Sequence, residues 1–222
     1  MIYSNDRAII FLIVGLSYNN MTLRDVKINF LVGTATELFM DRSIPEVTIK
    51  DIAVAAQVGE ATIYRYFGNK QNIVVHAAMR LQTIVSGDFF KLENGKTGYE
   101  KLAIFYESYL EIFKKHPKFY KFLEEFDSYI SENSSDVMNP YESAIDQYKE
   151  VFMQAYALGV EDGSIKKQKD IEMFYFSTTH ALLELCKKLA LRNAVLSQDE
   201  RIAKDIEIKC LIDIILGSLN NL

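Results

Sequence analysis

The sequence is poor in cysteine, proline and glycine, and each shortage narrows the class of protein. Two cysteines among 222 residues, Cys186 and Cys210, are too few for a disulfide framework and lack the spacing of a zinc site. A reducing cytoplasm is therefore expected. Three prolines and ten glycines are too few for the many turns of a β-sandwich or barrel. The composition, with 49% hydrophobic residues, predicts an all-α protein with an ample core.

The chain also lacks an excess of positive charge and a long apolar run. A net charge of −5 argues against a protein that coats nucleic acid non-specifically, although a local DNA-binding surface is compatible with an acidic average. The apolar run at residues 8–16 is half the length of about 18 residues that a membrane span needs, and no signal cleavage site follows it. Met21 precedes the first clear helix signal. Residues 1–20 are therefore interpreted either as the result of a translation start assigned too far upstream or as a short added helix.

From residue 21 onward the chain consists of capped amphipathic segments. Hydroxyl residues followed three positions later by an acid, the signature of a capping box, occur at Thr22, Thr48, Thr97 and Ser197. Further helix starts are marked by Asn69 and by prolines in the first turn. The spacing predicts nine helices and no strands: 22–42, 48–56, 59–67, 70–92, 98–115, 117–132 (from Pro117), 140–162 (from Pro140), 170–193 and 199–218.

The first three predicted helices form a small unit with an informative spacing. Apolar residues recur on one face of the first helix and of the second. Only about three residues, ending at Val58, separate the second helix from the third, which is the arrangement of a helix-turn-helix that holds one helix in the DNA major groove. The third helix, GEATIYRYF, buries Ile63 and Phe67 and directs hydrogen-bonding and stacking side chains outward.

Four motifs keep a fixed spacing here: TIKDIA, Val58 at the corner, TIYRYF, and Lys70 two residues after Gly68. In type and spacing they resemble the DNA-binding domain of the TetR family of bacterial transcriptional regulators, without a gap from about residue 24 to residue 76. The resemblance implies a double-stranded DNA operator as partner. It implies that Arg65 contacts either bases or phosphates, that Thr48 and Lys50 lie beside the DNA backbone, that Tyr64, Tyr66 and Lys70 bind phosphates, and that base edges are read by Glu60, Ala61 and Thr62.

Three residues depart from the family pattern. Gln57 stands where the turn commonly has glycine, and a positive φ there costs about 1 kcal/mol. Gly59 replaces a hydroxyl N-cap, and Glu60 replaces a common lysine and brings a negative charge near the phosphates. Residues 21–70 carry six acidic and six basic side chains, whereas residues 71–222 carry the whole net charge of −5. The neutral unit is therefore the least negative face that the protein offers to DNA.

These observations divide the chain into a helix-turn-helix domain at 21–70 and a helical body at 71–222. The resemblance implies that the body binds a small-molecule effector and forms a homodimer through its last two helices. The segment GVEDGSI is similar to the family's turn before those helices, and Gly163 suits a left-handed helix end. The last helix is apolar almost all round, which favours a dimer interface, with full burial in one chain as the alternative: Ile206, Ile208, Cys210, Ile212, Ile214, Ile215 and Leu216.

Aromatic residues of the body are candidates for effector contact, although such residues also build ordinary cores. Acidic residues of the helix 117–132, namely Glu124, Glu125 and Asp127, either attract a cation to these rings or face solvent. The candidate effector-binding residues are Phe105, Tyr109, Phe122, Phe126, Phe152, Tyr156, Phe176 and His180.

The sequence contains no motif of a familiar enzyme class. The histidines His76, His116 and His180 are scattered, and GxSxG, P-loop, HExxH and GxGxxG patterns are absent, so catalytic residues, a cofactor and a metal are not expected. The predicted function is a cytoplasmic, homodimeric repressor of transcription that a small ligand releases from its operator. The alternative is a helical small-molecule-binding or assembly protein whose helix-turn-helix no longer reads DNA.

Overall fold

The computed structural model describes residues 22–88, 96–131, 138–191 and 203–221. These residues form nine α-helices and no strand, apart from one isolated bridge between Ile165 and Asn220. The all-α prediction is therefore confirmed. The helices are α1 Leu23–Asp41, α2 Ile49–Ala55, α3 Glu60–Phe67, α4 Lys70–Asp88, α5 Gly98–Lys115, α6 Pro117–Ser131, α7 Met138–Glu161, α8 Ile171–Leu191 and α9 Lys204–Leu219.

Three predicted capping boxes fix the starts of α1, α2 and α5. The hydroxyls of Thr22, Thr48 and Thr97 accept the N–H of the acidic residue three positions on, at 3.1 to 3.2 Å. Each acidic side chain in turn accepts the N–H of its threonine. At α4 the side-chain oxygen of Asn69 accepts the N–H of Asn72 at 2.8 Å. Local sequence therefore determines where these four helices begin.

Two helix starts differ from the prediction by more than one residue. Helix α7 begins at Met138, two residues before Pro140. Helix α9 begins at Lys204, after the extended residue Ala203, and Asp205 and Glu207 lie in its first turn, where negative charge is favourable. The capping signature at Ser197, residues 1–20 and the predicted helix end at 89–92 lie outside the described residues.

Helix α4 packs against both parts of the molecule. It runs along α1, which buries Leu31, Ala35 and Phe39, and it also contacts α3, α6 and α7. Helices α2 and α3 complete the small unit through Ile52 and Ile63, both fully buried. One helix thus joins the helix-turn-helix to the body, and its apolar residues extend one core through both.

The beginning of α5 lies against the end of α7. A Cβ added to Gly98 would come within 2.0 Å of the main-chain nitrogen of Gly159, so only glycine allows this close approach. The N–H of Gly98 donates to Asp162 at 2.8 Å and the N–H of Tyr99 donates to the Ser164 hydroxyl at 3.1 Å. The turn after α7 therefore caps α5.

Helix α7 ends as predicted, because Gly163 has a left-handed φ of 78°. The main chain that follows is held near the end of α9, where the N–H of Lys166 donates to the carbonyl of Leu219 at 2.9 Å. No helix in the described ranges is long and apolar enough to cross a membrane.

Candidate DNA-binding surface and ligand cavity

The turn between α2 and α3 closes as a Schellman motif. The N–H of Val58 donates to the carbonyl of Ala53 at 2.9 Å, and the N–H of Gln57 donates to the carbonyl of Val54 at 3.1 Å. Gln57 has φ 54°, so the predicted positive φ at this residue is confirmed. Val58 packs against the core, as its corner position predicts. The short turn therefore fixes the direction of α3 relative to α2.

Helix α3 has one buried face and one open face. Ile63 and Phe67 are buried, one turn apart. The guanidinium of Arg65 lies 5.2 Å from the centre of the Tyr66 ring, which itself packs partly on the core. The side chains that remain exposed or half-exposed are those named from the sequence: Glu60, Ala61, Thr62, Tyr64, Arg65 and Tyr66. The structure therefore brings the candidate base-reading residues onto one short helix.

The start of α2 lies beside this open face. Thr48 and Lys50 are exposed, and the Thr48 hydroxyl also caps α2. Asp51 is held by this cap and by Arg42, whose guanidinium is 3.6 Å away. The hydrogen bonds from Thr48 lower the pKa of Asp51 below its ordinary value. Thr48 is thus a structural residue of the fold, whatever its contact with DNA.

Lys70, the first residue of α4, is turned inward. Its ammonium donates to the carbonyls of Ile44 and Pro45, in the loop before α2, and lies 5.3 Å from the centre of the Tyr129 ring of α6. Burial lowers the pKa of Lys70. Its predicted phosphate contact stays a prediction. The hydrogen bonds from Lys70 to the loop could not be predicted from the sequence, because nothing near Lys70 in the chain indicates a partner 26 residues away.

Glu125 of α6 holds the same loop from the other side. Its carboxylate accepts the N–H of Ile44 at 2.8 Å and lies 3.7 Å from the ammonium of Lys121. Nearby, Lys118 of α6 forms an ion pair with Asp41 at the end of α1. Helix α6 is therefore bonded directly to the helix-turn-helix unit, and Glu125 does not simply face solvent.

Helices α4 to α8 enclose a cavity of about 170 Å³, which we call the aromatic cavity. Seven aromatic rings and five aliphatic side chains from α4 to α8 line it. The rings are Tyr109, Phe119, Tyr120, Tyr141, Tyr148, Tyr175 and Phe176. The polar side chains that also line the cavity are Gln82, Asp127, Thr179 and His180. Its volume is below the range of about 300 to 1,000 Å³ of pockets for drug-sized ligands, so only a smaller organic molecule fits it.

Several polar groups of the aromatic cavity bond to one another. The hydroxyl of Tyr148 donates to the side-chain oxygen of Gln82 at 2.8 Å, and that of Tyr120 donates to the carbonyl of Tyr109 at 2.9 Å. Burial raises the pKa of Tyr141 and of Tyr175 to about 12. The hydroxyls of Tyr141 and Tyr175 are therefore neutral near pH 7.

The structure separates the eight candidate effector-binding residues into two groups. Tyr109, Phe176 and His180 line the aromatic cavity, as proposed from the sequence. The other five do not line it. Tyr156 accepts the N–H of Gln168 with its hydroxyl at 2.8 Å. Four rings lie in the core, where they pack on aromatic neighbours: Phe105, Phe122, Phe126 and Phe152.

Sequence reasoning missed most of the residues that line the aromatic cavity. Gln82 on α4, and Tyr141 and Tyr148 on α7, are among them. Their helices approach α6 and α8 only in the folded chain, so a single sequence carries no local signal for them.

A buried lysine gathers three carboxylates at the rim of the aromatic cavity. The ammonium of Lys187, a side chain only 4% exposed, lies 2.7 Å from Asp127 and from Glu184 and 3.0 Å from Glu124. Burial alone would lower the pKa of Lys187, but these hydrogen bonds outweigh it and the pKa is raised. Glu124 and Asp127 are therefore not simply solvent-facing acids.

The fold is shared with solved bacterial regulators of low sequence identity. A transcriptional regulator from Saccharomonospora viridis, solved in complex with choline, has 19% identity and a TM-score of 0.65, covering 87% of this chain and 97% of that one. A TetR-family regulator from Rhodococcus sp. has 13% identity and a TM-score of 0.62, covering 86% and 98%. The ketosteroid regulator KstR2 of Mycobacterium tuberculosis has 14% identity and a TM-score of 0.60, covering 87% and 94%. No curated protein matches the chain in sequence.

The amino-terminal unit also matches a known family in sequence. Residues 31–77, from the middle of α1 into α4, match the family described as bacterial regulatory proteins, tetR family. The match covers the Schellman turn and all of α3, the helix with the exposed face. The activity of this family is regulation of transcription, not catalysis. Residues 31–77 are therefore similar to the DNA-binding part of the TetR family of transcriptional regulators, and the chain shares the fold of solved TetR-family regulators.

Proposed function

We propose that this regulator is a cytoplasmic, homodimeric repressor that binds a two-fold symmetric operator through α3 and releases it when a small ligand enters the aromatic cavity. The observation that carries the proposal is the open face of α3, held by the Schellman turn, in a molecule that also encloses a cavity among α4 to α8. Helix α4 touches both.

The roles on DNA follow from the position of each side chain. Glu60, Ala61 and Thr62 lie in the first turn of α3 and would meet base edges in the major groove. Tyr64 is half-exposed one turn further on and would bind a phosphate, with Tyr66 beside it, while Arg65 reaches either. Exposed Thr48 and Lys50 would flank the backbone at the start of α2.

The ligand would act through α4 and α6. Gln82 and Val85 of α4 and Leu123 and Asp127 of α6 line the aromatic cavity, and the same helices carry Lys70 and Glu125 to the loop before α2. A ligand that fits better when these helices shift would favour the form that does not fit the operator. The choline complex of the Saccharomonospora viridis regulator supports ligand binding by this fold.

The homodimer is supported by an apolar stripe on α9. Ile206 and Ile214 are 62% and 65% exposed, and Cys210 between them is also exposed. These three residues follow one another at intervals of four, so they share one face of the helix. Water exposure of two isoleucines on one face is unfavourable, and a second copy of α9 would cover them.

The experiment that tests the proposal is selection of bound fragments from genomic DNA by the purified protein. We expect roughly palindromic fragments whose half-sites lie one helical turn, or a small multiple of it, apart. Thr62→Ala should relax the preference at one base pair of each half-site, by about 1 to 3 kcal/mol of discrimination. If wild-type protein selects no sequence at modest salt, the repressor proposal fails and the non-DNA-binding alternative replaces it.

A further inference from the structure

We infer that the aromatic cavity takes a small organic cation, either a quaternary ammonium or a protonated amine. This inference rests on the proposed function, because it names the chemical class of the ligand for the same site. It depends on the charges around the cavity and on the chemistry of its wall.

The formal charge on the described wall is negative. Asp127 is its one carboxylate, and neither lysine nor arginine is among the residues that line it. An anionic ligand would therefore lose its hydration without meeting a cationic partner there, which is costly in an apolar site. Carboxylates and phosphates are disfavoured on this ground.

Two lysines that contact residues of the cavity wall are held in ion pairs. Lys187 meets three carboxylates with a single ammonium, so the group of Lys187, Glu124, Asp127 and Glu184 keeps two surplus negative charges. Lys149 lies 5.0 Å from the centre of the Phe176 ring but forms an ion pair with Glu172. The rim of the aromatic cavity consequently has a negative potential, weakened by solvent because Asp127 is 53% exposed.

The wall provides the second requirement for a cation. Seven aromatic rings, five of them tyrosines, surround a space of about 170 Å³. The faces of such rings attract a cation within about 6 Å of the ring centre. The ammonium of Lys149 lies within this distance of the Phe176 ring, 5.0 Å from its centre. A neutral ligand would make the same apolar contacts, and the surplus negative charge is what favours the cation over it.

Isothermal titration calorimetry on the full chain without DNA tests the inference. The probes are three cations, tetramethylammonium, tetraethylammonium and benzylammonium, with benzyl alcohol and benzoate as the neutral and anionic partners of the last. At low salt we expect at least one cation to bind at least tenfold more tightly than both benzyl alcohol and benzoate. The inference is overturned if benzyl alcohol or benzoate binds as tightly as the best cation, or if none of the five binds.

Matched variants locate the binding. Asp127→Asn should lower the affinity for the best cation roughly five- to tenfold, since one charge at the rim is lost, and should leave benzyl alcohol unchanged. Glu150→Gln removes one negative charge from an exposed position of α7 away from the cavity wall and should change neither. Equal effects of these two variants on cation affinity would overturn the assignment of cation binding to the aromatic cavity.

A second pair tests the wall. Tyr141→Phe keeps the aromatic face and should retain cation binding, whereas Tyr141→Leu should lose most of it. Equal binding by both variants would overturn the role of the rings. Because no DNA is present, failure of this inference leaves the repressor proposal intact, and a protein that selects no operator would still be tested here for its ligand.

Discussion

The carboxylate of Glu125 and the main-chain N–H of Ile44, 81 residues apart, are joined by a hydrogen bond of 2.8 Å. The carbonyl of the same Ile44 accepts from Lys70, so both main-chain polar groups of this residue are held by side chains of α4 and α6. Ile44 is itself fully buried, and no water replaces these partners easily. The loop before α2 is thus anchored to α4 and α6, the helices that also line the aromatic cavity.

We expect Glu125→Ala to lower the free energy of unfolding by about 1 to 3 kcal/mol, because it leaves the buried Ile44 N–H without its acceptor. Glu125→Gln keeps an acceptor oxygen and should lose less. Urea unfolding followed by circular dichroism measures both. The substitution Glu150→Gln removes a charge from an exposed position of α7 without touching Ile44 and serves as the control. Equal stability of Glu125→Ala and wild type would contradict the anchoring role.

Gln57→Gly should stabilise the protein by up to about 1 kcal/mol, since Gln57 has φ 54° and glycine adopts this conformation without steric cost. Gln57→Val, with a branched side chain, should destabilise it. The urea midpoints of the two variants should therefore move in opposite directions. A lower urea midpoint for Gln57→Gly would show that the side chain of Gln57 stabilises the fold by more than its positive φ destabilises it.

The two faces of α9 should respond differently to a buried charge. Ile214→Asp changes an exposed residue of the apolar stripe and should dissociate the dimer while helicity is retained. Ile212→Asp places a carboxylate in the core of the chain itself, because Ile212 is fully buried, and should unfold it. Sedimentation velocity with circular dichroism separates the two results. A dimer that survives Ile214→Asp would place the interface elsewhere.

Lys50 and Lys70 should both contribute to DNA binding, but only one should contribute to stability. In a dimer, either lysine to alanine change should reduce the slope of log K against log salt by about 1.8, at about 0.9 for each phosphate contact. Lys70→Ala should also lower the urea midpoint, since its ammonium holds two carbonyls, whereas exposed Lys50→Ala should not. An unchanged salt slope for Lys70→Ala would restrict Lys70 to the structural role.

Stability should fall in acid through the caps of α1, α2 and α5. Hydrogen bonds from the cap threonines lower the pKa values of Asp25, Asp51 and Glu100 below their ordinary 3.8, 3.8 and 4.5. A lowered pKa in the folded state means that these groups stabilise the fold above the ordinary values and that this contribution is lost as pH falls through the folded values. Urea unfolding from pH 6 to pH 3 should show this decline, and the triple variant with Asn, Asn and Gln should flatten it.

Features that depend on local spacing were predictable from the sequence. The caps at Thr22, Thr48 and Thr97, the positive φ of Gln57 and the exposed face of α3 all follow from residues within one or two turns of one another. The start of α9 was not predictable, because the residues around Ala203 carry no signal for its extended conformation.

Features that depend on packing between distant helices were not predictable. The alternation of apolar residues on α9 did not show that Ile212 is buried and Ile214 exposed, since almost every face of that helix is apolar. Phe152 and Tyr148 lie on the same helix, yet one is in the core and the other on the aromatic cavity. The neighbours of each ring depend on how distant helices pack together, and a single sequence does not reveal that packing.

The tyrosines of the aromatic cavity have an optical consequence. The chain contains no tryptophan, so its ultraviolet emission comes from thirteen tyrosines, of which five line the cavity. A molecule that enters the cavity changes the polarity around those five rings, with no brighter fluorophore to mask the change. Intrinsic tyrosine fluorescence therefore reports occupancy of this site without an attached dye.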